Sequence, residues 1–269
     1  MLDSNGAPHR AHLSEAPAGR GPIAILEPHY DDAWVNLGGT MLLRPQQRFR
    51  IVSVAEDAKN RHNRTQTLPQ YVPHVETVAL RLRGIPWSFR GSLEEAVRLF
   101  CAQNRLSSLA ALAERLWPYV ADCEEVWLPM GLEHPQHAIV AQLLPIGGKR
   151  FAYYREFPYF FPSRIRDFRR FDVGFRYKLA HARQLWRRLH GYRAEYVDVR
   201  RVREQKWHIF TLVYPEQASL LALRRSRVGA LALQDEALFR PCGGRVSRLR
   251  RWGAIVLFEF IRGGTCRVF

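Results

Sequence analysis

Short apolar runs occur through the first half of the chain, and each is bounded by polar or turn-forming residues. Runs of this kind are typical of strands buried inside a parallel sheet. They predict strands over residues 23–26, 49–55 and 125–128. Between the runs, apolar positions recur at helical spacing, which predicts helices over residues 32–43, 72–83 and 93–116. The close-approach pair Gly38-Gly39 interrupts the first of these helical patterns.

Alternating strands and helices predict an α/β fold, with a mostly parallel sheet and helices on both faces. The second half of the chain is less regular. Its patterns predict strands over residues 150–155, 194–199 and 254–260 and helices over residues 175–190, 205–213 and 217–233. No internal repeat or low-complexity linker divides the sequence. We therefore expect a loose, flexible tail over residues 1–20 and a single domain over residues 21–269.

The chain is strongly basic, which raises the question of a polyanionic partner. Its 269 residues carry a formal net charge of +16, with ordinary hydrophobic (47%) and charged (25%) fractions that argue against disorder. All but four of the 41 basic residues are arginines, and apart from short clusters they are spread along the chain. This distribution argues against a nucleic-acid binder and leaves a phosphate-bearing small substrate or an anionic membrane surface open.

The cysteines and the apolar runs indicate the compartment. The four cysteines form no CxxC pair, which argues against a zinc ribbon or a disulfide framework and favours free thiols in a reducing compartment. The first twenty residues lack the apolar core of a secretory signal, and no apolar run approaches the ~20 residues that a membrane span requires. We expect a soluble, cytoplasmic protein, and the sequence leaves its oligomeric state open.

Two clusters rich in histidine and aspartate follow predicted strands. Pro28-His29-Tyr30-Asp31-Asp32 comes directly after the first strand, and His134-Pro135-Gln136-His137 follows the strand over residues 125–128. Ligands of open α/β sheets bind in the crevice outside the carboxyl ends of the strands. Both clusters are therefore expected to converge on one point.

Imidazole and carboxylate groups together suit zinc, and a catalytic zinc site uses three protein ligands with one position left open. One histidine and one aspartate of the first cluster, with one histidine of the second, supply such a set. The remaining aspartate can act as general base. The remaining histidine can stabilise or protonate the group that becomes charged on the opposite side of the reacting amide. These groups suffice for amide hydrolysis. The alternatives are that Asp31 and Asp32 cap the following helix and that the histidines are solvated loop residues.

The two clusters resemble the motifs of the PIG-L/LmbE-like zinc-dependent de-N-acetylases, which act on N-acetylglucosamine-type groups. The family's (A/P)-H-x-D-D motif is matched by residues 28–32, its following glycine pair by Gly38-Gly39, and its H-x-D-H motif by residues 134–137 except at Gln136. Weaker similarities extend the resemblance to about residues 21–240. They are a YxExPY-like segment over residues 153–159, and Lys206 with a later YxxQ element over residues 214–217.

This resemblance implies a Rossmann-like hydrolase domain and a role for each histidine and aspartate of the two motifs. His29, Asp32 and His137 would hold one Zn²⁺ or another divalent metal. Asp31 would be the general base, and His134 would face the tetrahedral oxyanion or the leaving amine.

Departures from the family's motifs leave hypotheses of different classes open. Gln136 replaces an aspartate that in the family supports the neighbouring histidine, and Tyr30 and Ala33 replace a common proline and a frequent glutamate. The retained residues favour an enzyme that removes an N-acetyl or other acyl group from an amino sugar in glycan, glycoconjugate or antibiotic biosynthesis. Its substrate would be free or carried on a nucleotide, lipid or antibiotic-like scaffold. The alternatives are a catalytically silent homologue that acts as a basic binding or scaffolding protein, and an enzyme that keeps the metal but cleaves an ester.

Three further residues are candidates for substrate binding. Trp34 could stack on a sugar ring, although an aromatic side chain beside a glycine pair is more often part of the core. Arg61 and Arg64, in the loop after the second predicted strand, could hold a phosphate or carboxylate of the substrate. Arginines in such loops are most often solvated.

Overall fold

The architecture is that of a computed structural model of the chain. The structure describes residues 21–56, 64–86, 89, 91–131, 134–143, 148–156, 191–215 and 235–241. The predicted tail over residues 1–20, the predicted helices over 175–190 and 217–233, the predicted strand over 254–260 and Arg61 all lie outside these residues.

Seven strands and five α-helices make up the described part of the chain. The strands are β1 (Ile23–Glu27), β2 (Phe49–Glu56), β3 (Val75–Arg83), β4 (Glu125–Pro129), β5 (Arg150–Tyr154), β6 (Tyr192–Asp198) and β7 (Asp235–Pro241). The α-helices are α1 (Asp32–Leu43), α2 (Leu93–Gln103), α3 (Leu109–Val120), α4 (Pro135–Val140) and α5 (Arg203–Val213), and short 3-10 helices cover Arg64–Gln70 and Arg200–Val202.

The strands form one sheet in the order β3-β2-β1-β4-β5-β7-β6. The pairs β3–β2, β2–β1, β1–β4 and β4–β5 are parallel, whereas β7 runs antiparallel to both β5 and β6. The predicted mostly parallel sheet is confirmed. Since β1 and β4 are parallel neighbours, with Ile25 opposite Trp127, the loops that follow them emerge at the same edge of the sheet.

Helices cover both faces of the sheet, as the sequence predicts. Alternate residues of a strand point to opposite faces. Leu26 belongs to one hydrophobic core, together with α2, α3 and α4, while Ile25 belongs to the other, together with α1 and α5. The loops after β1 and β4 therefore lead into helices on opposite faces of the sheet.

Residues 75–83 form a strand, so the helix predicted over residues 72–83 is wrong. Apolar residues in this stretch fit a helical period and a strand period alike. The pairing with β2 decides between them, because Val75 lies opposite Phe49 and Val78 opposite Val52 along a parallel ladder. Leu80 and Leu82, two positions apart, both join the core beside α2 and α3.

The helix predicted over residues 93–116 is in fact two helices, α2 and α3. Asn104, just after α2, donates to the carbonyls of Phe100 (2.8 Å) and Arg83 (3.0 Å) and accepts from the Arg83 amide (2.7 Å). Arg105 has φ of 54°, in the left-handed region, which ends the helical path. Ser108 then caps α3 by accepting from the Ala111 amide.

Within the described ranges, no helix combines the length and the apolar character needed to cross a membrane.

Candidate metal and catalytic site

The loop between β1 and α1 holds the first predicted motif. Asp31 is the N-cap residue of α1, but its side chain makes no capping hydrogen bond. Asp32 accepts a hydrogen bond on Oδ2 from the His29 amide (2.9 Å). The amide of Ala33, in the first turn of α1, donates to Glu27 instead (2.9 Å). The Asp31 carboxylate therefore does not cap α1, and helix capping does not account for the aspartate pair.

Glu27 is a buried carboxyl group that lies next to the first motif but belongs to neither motif. It is fully buried at the end of β1 and bonds Ser53 Oγ (2.5 Å) as well as the Ala33 amide. Burial raises the pKa of Glu27 well above its ordinary value, against the two hydrogen bonds that lower it. The only signal in the sequence is a glutamate that ends an otherwise apolar strand.

His134 is the N-cap residue of α4, at the other side of the site. Its Nδ1 accepts a hydrogen bond from the Gln136 amide (3.1 Å). Burial, followed by the nearby His29 and His137, lowers the pKa of His134 to about 2. A neutral imidazole that accepts on Nδ1 carries its proton on Nε2. His134 therefore offers an N–H donor, rather than a lone pair, through Nε2.

His137 lies one turn along α4 and is oriented by Glu156, two residues after the end of β5. His137 Nδ1 is hydrogen-bonded to Glu156 Oε1, and Glu156 Oε2 accepts from the Gly131 amide (2.6 Å). Both side chains are fully buried. Burial alone would lower the pKa of His137, but the carboxylates of Asp32 and Glu156 outweigh it and raise the pKa to about 9. Charges that hold this proton also favour a bound cation.

Three candidate ligand atoms form a nearly equilateral triangle. His29 Nδ1 lies 3.2 Å from His137 Nε2, and Asp32 Oδ2 lies 3.3 Å from each of these nitrogens. Ligands of a tetrahedral zinc ion, at bond lengths of ~2.0–2.2 Å, are about 3.3–3.6 Å apart. Burial raises the pKa of Asp32, but His137 and His29 lower it to about 2, so the carboxylate is ionised. The three groups fit one divalent cation.

A second grouping brings His134 together with His29 and His137, with ligand atoms within 4.8 Å of one another. The His134 ring lies 4.8 Å from that of His29 and 5.2 Å from that of His137, between centroids. The ligand atoms of this set are farther apart than the 3.2–3.3 Å of the triangle with Asp32. In addition, a His134 ring that carries its proton on Nε2 cannot bind a metal through that nitrogen. The geometry favours Asp32 over His134 as the third candidate ligand, and the His134 ring lies beside the triangle.

The structure separates the predicted substrate-binding residues. Trp34 is fully buried, packs against Gly38, and donates from its indole N–H to the Lys206 carbonyl (3.0 Å). No face of the ring is open to a sugar, so the predicted stacking role is wrong and Trp34 is a core residue. Arg61 lies outside the described residues, as does the side chain of Arg64, whose backbone starts a 3-10 helix. Their contact with substrate stays a prediction.

Gln136 does not support a site histidine through its side chain in the described structure. Its Oε1 accepts from the Ile85 amide, just after β3, at 3.0 Å. The contact ties α4 to the end of β3. The carboxylate that orients a site histidine is Glu156, which belongs to the YxExPY-like segment and not to the H-x-D-H-like motif.

No protein-family model and no curated protein matches the sequence. The structure is similar to solved deacetylases. The A40926 pseudoaglycone deacetylase matches with a TM-score of 0.50 and 16% identity over 82% of this chain and 97% of its own. The teicoplanin deacetylase in complex with teicoplanin matches at 0.55 and 12%, over 83% and 99%, and its zinc-inhibited form at 0.53 and 13%, over 84% and 100%. At these identities the likeness establishes a shared fold.

Proposed function

We propose that the chain is a metal-dependent N-deacetylase of the PIG-L/LmbE type, which hydrolyses the N-acetyl group of an amino-sugar conjugate. The observation that carries the proposal is the triangle of His29 Nδ1, Asp32 Oδ2 and His137 Nε2, with edges of 3.2–3.3 Å. The fold shared with the A40926 pseudoaglycone deacetylase and the teicoplanin deacetylase supports the same reaction class.

Each residue of the site has a distinct task in this proposal. His29, Asp32 and His137 would hold the cation, which supplies Lewis acidity toward the amide carbonyl when bound. Asp31, next to a ligand and not engaged in capping α1, accepts the proton of the attacking water. His134, neutral with its proton on Nε2, donates a hydrogen bond to the oxyanion. As the C–N bond breaks, Asp31 passes the proton that it took from water to the leaving amine.

Release of acetate is the direct test of the proposed activity. The purified full chain is incubated with N-acetylhexosamines that are free, nucleotide-linked, lipid-linked or attached to an antibiotic scaffold. We expect equal amounts of acetate and free amine from at least one class, and none after treatment with a chelator. Matched O-acetyl sugars test the alternative of ester cleavage. A protein that holds no divalent metal and releases no acetate from any substrate is the silent homologue.

The metal is proposed to be zinc or another divalent cation. Since one structural neighbour is described in a zinc-inhibited form, the assay compares Zn²⁺, Co²⁺ and Mn²⁺ at one equivalent and in excess. About one bound equivalent per chain is the expected metal content.

Added salt should weaken substrate capture and leave turnover nearly unchanged. The net charge of +16 attracts an anionic conjugate, and exposed charges are screened beyond about 8 Å at physiological ionic strength. We expect KM to rise with NaCl concentration for a phosphate-bearing substrate while kcat stays level. An uncharged N-acetylhexosamine is the control substrate. The same KM at every salt concentration for the anionic substrate would show that the arginines take no part in its capture.

Replacing Glu156 with glutamine should weaken metal binding. The substitution keeps the size of the side chain but removes the charge beside His137 Nδ1. Loss of such an orienting carboxylate typically costs about 10–100-fold in metal affinity. The measurement is titration of the metal-free protein with Co²⁺, followed by its visible absorption. The matched control is Glu95→Gln on α2, where the glutamate belongs to an exposed capping box. Equal affinity in the two variants would contradict the role given to Glu156.

A further inference from the structure

A buried ion pair lies against α1, away from the candidate ligands. Lys206 on α5 and Glu236 on β7 are 2% and 4% exposed, and Lys206 Nζ lies 2.7 Å from Glu236 Oε1. Transfer of both charges from water is costly, and hydrophobic residues of similar volume often serve stability as well or better. Fold stability alone therefore does not account for the burial of these two charges.

Both charged groups bond to the backbone in the middle of α1. Lys206 Nζ donates to the Val35 carbonyl (2.6 Å), while the carboxylate of Glu236 accepts from the amides of Gly39 (2.8 Å) and Thr40 (2.6 Å). In a regular α-helix the Gly39 amide would donate to the Val35 carbonyl. Here those two groups bond to opposite members of the Lys206–Glu236 pair, the amide to the carboxylate and the carbonyl to the ammonium group.

The fit around the Lys206–Glu236 pair depends on Gly39. A Cβ atom at Gly39 would lie 2.6 Å from the Cβ of Val199 and 2.9 Å from Glu236 Oε1. Both distances are far below a normal contact. The close approach of α1 to β7 therefore requires glycine at this position, and any side chain there would push the helix away from the carboxylate.

The Lys206–Glu236 pair thus ties α1 to the sheet through β7. The N-terminus of α1 carries Asp31 and Asp32, whereas His137 is on α4, which packs on the opposite face. The triangle of ligand atoms closes only if α1 keeps its axial position relative to the sheet. A shift of about 1 Å in a reacting group can cost about 10²-fold in rate.

We propose that Lys206 and Glu236 are positioning residues that set the axial register of α1, and thereby the placement of Asp32 opposite His29 and His137. This inference rests on the proposed function, because it concerns the same metal site. It predicts that the pair governs metal affinity in protein that is fully folded, and not only resistance to unfolding.

The test is Co²⁺ binding by a charge-neutral double variant, Lys206→Met with Glu236→Gln. The full-length chain is stripped of metal and titrated with Co²⁺ alone, at a temperature well below the unfolding midpoint of every variant. We expect the Co²⁺ affinity of the double variant to be at least about tenfold weaker than that of wild type. Its visible spectrum should also differ, because one ligand is displaced. The control is Leu112→Ala on α3, a fully buried residue in the core on the opposite face, where the substitution lowers stability without touching α1.

Gly39→Ala provides a second route that leaves both charges in place and keeps the inference testable if the double variant does not fold. Its Cβ displaces α1 from Glu236, so its Co²⁺ affinity should also fall while that of Leu112→Ala matches wild type. Wild-type affinity in the folded double variant or in Gly39→Ala would overturn the positioning role. A wild-type chain that binds neither Co²⁺ nor Zn²⁺ would instead overturn the proposed function, and this inference with it.

Discussion

Asp31→Asn should keep its metal and lose turnover by about 10²–10⁴-fold, the usual effect of removing a general base. The Asp31 side chain makes no capping bond at α1, so the change should not disturb the helix. Asparagine preserves the size of the side chain but cannot accept the proton of the attacking water at neutral pH. Metal content and kcat of the purified variant are the measurements. Full activity would exclude Asp31 as the base.

Asp32→Asn is the matched variant and should fail at an earlier step. The Asp32 carboxylate is ionised and lies 3.3 Å from the facing nitrogens of His29 and His137. A neutral amide is a far poorer zinc ligand than a carboxylate, so this variant should lose metal and activity together. Both variants should fold, because Glu27 bonds the Ala33 amide at the start of α1. Metal loss in Asp31→Asn with retention in Asp32→Asn would reverse the two roles.

Lys206→Met alone should destabilise the fold by about 3–5 kcal/mol, the usual cost of leaving one charge of a buried pair without its partner. Glu236 would stay buried, with the Gly39 and Thr40 amides as its remaining described partners. Urea unfolding of the metal-free protein, followed by circular dichroism, gives the free energy of unfolding.

The double variant Lys206→Met/Glu236→Gln should recover part of that loss, because no uncompensated charge is left in the core. The exposed pair Arg98–Glu94 on α2 is the control, and Arg98→Met should cost less than about 1 kcal/mol. A double variant less stable than Lys206→Met alone would contradict the assignment of the cost to the buried charge.

Local sequence patterns predict the part of the fold that carries the candidate ligands. β1, β2 and β4 are short apolar runs, and near-continuous apolar sequence is typical of strands that are buried on both faces of a sheet. Their parallel pairing brings the loops after β1 and β4 together, so the convergence of His29, Asp32 and His137 follows from pattern and topology. The predicted strands near residues 150 and 194 and the helix near residue 205 also match β5, β6 and α5 to within two residues.

What the sequence does not predict depends on contacts between distant residues. β3 has the same apolar spacing as a helix, and only its pairing with β2 identifies it as a strand. β7 is short, begins with two acidic residues and ends at Pro241, so its local pattern is weak. Glu27 and Glu156 act through neighbours up to 26 residues away along the chain. Trp34 has the same sequence context whether it faces a sugar or the core.

The position of β7 affects the order in which the fold can form. β7 lies between β5 and β6, and within the described residues it is the strand neighbour of both. β6 therefore cannot join the sheet during synthesis until residues 235–241 have emerged, although β6 itself ends at Asp198. Contacts of such long sequence separation form slowly. Until they form, Lys206 has no Glu236 as counter-ion, so closure of the sheet and burial of that charge belong to one late, cooperative step.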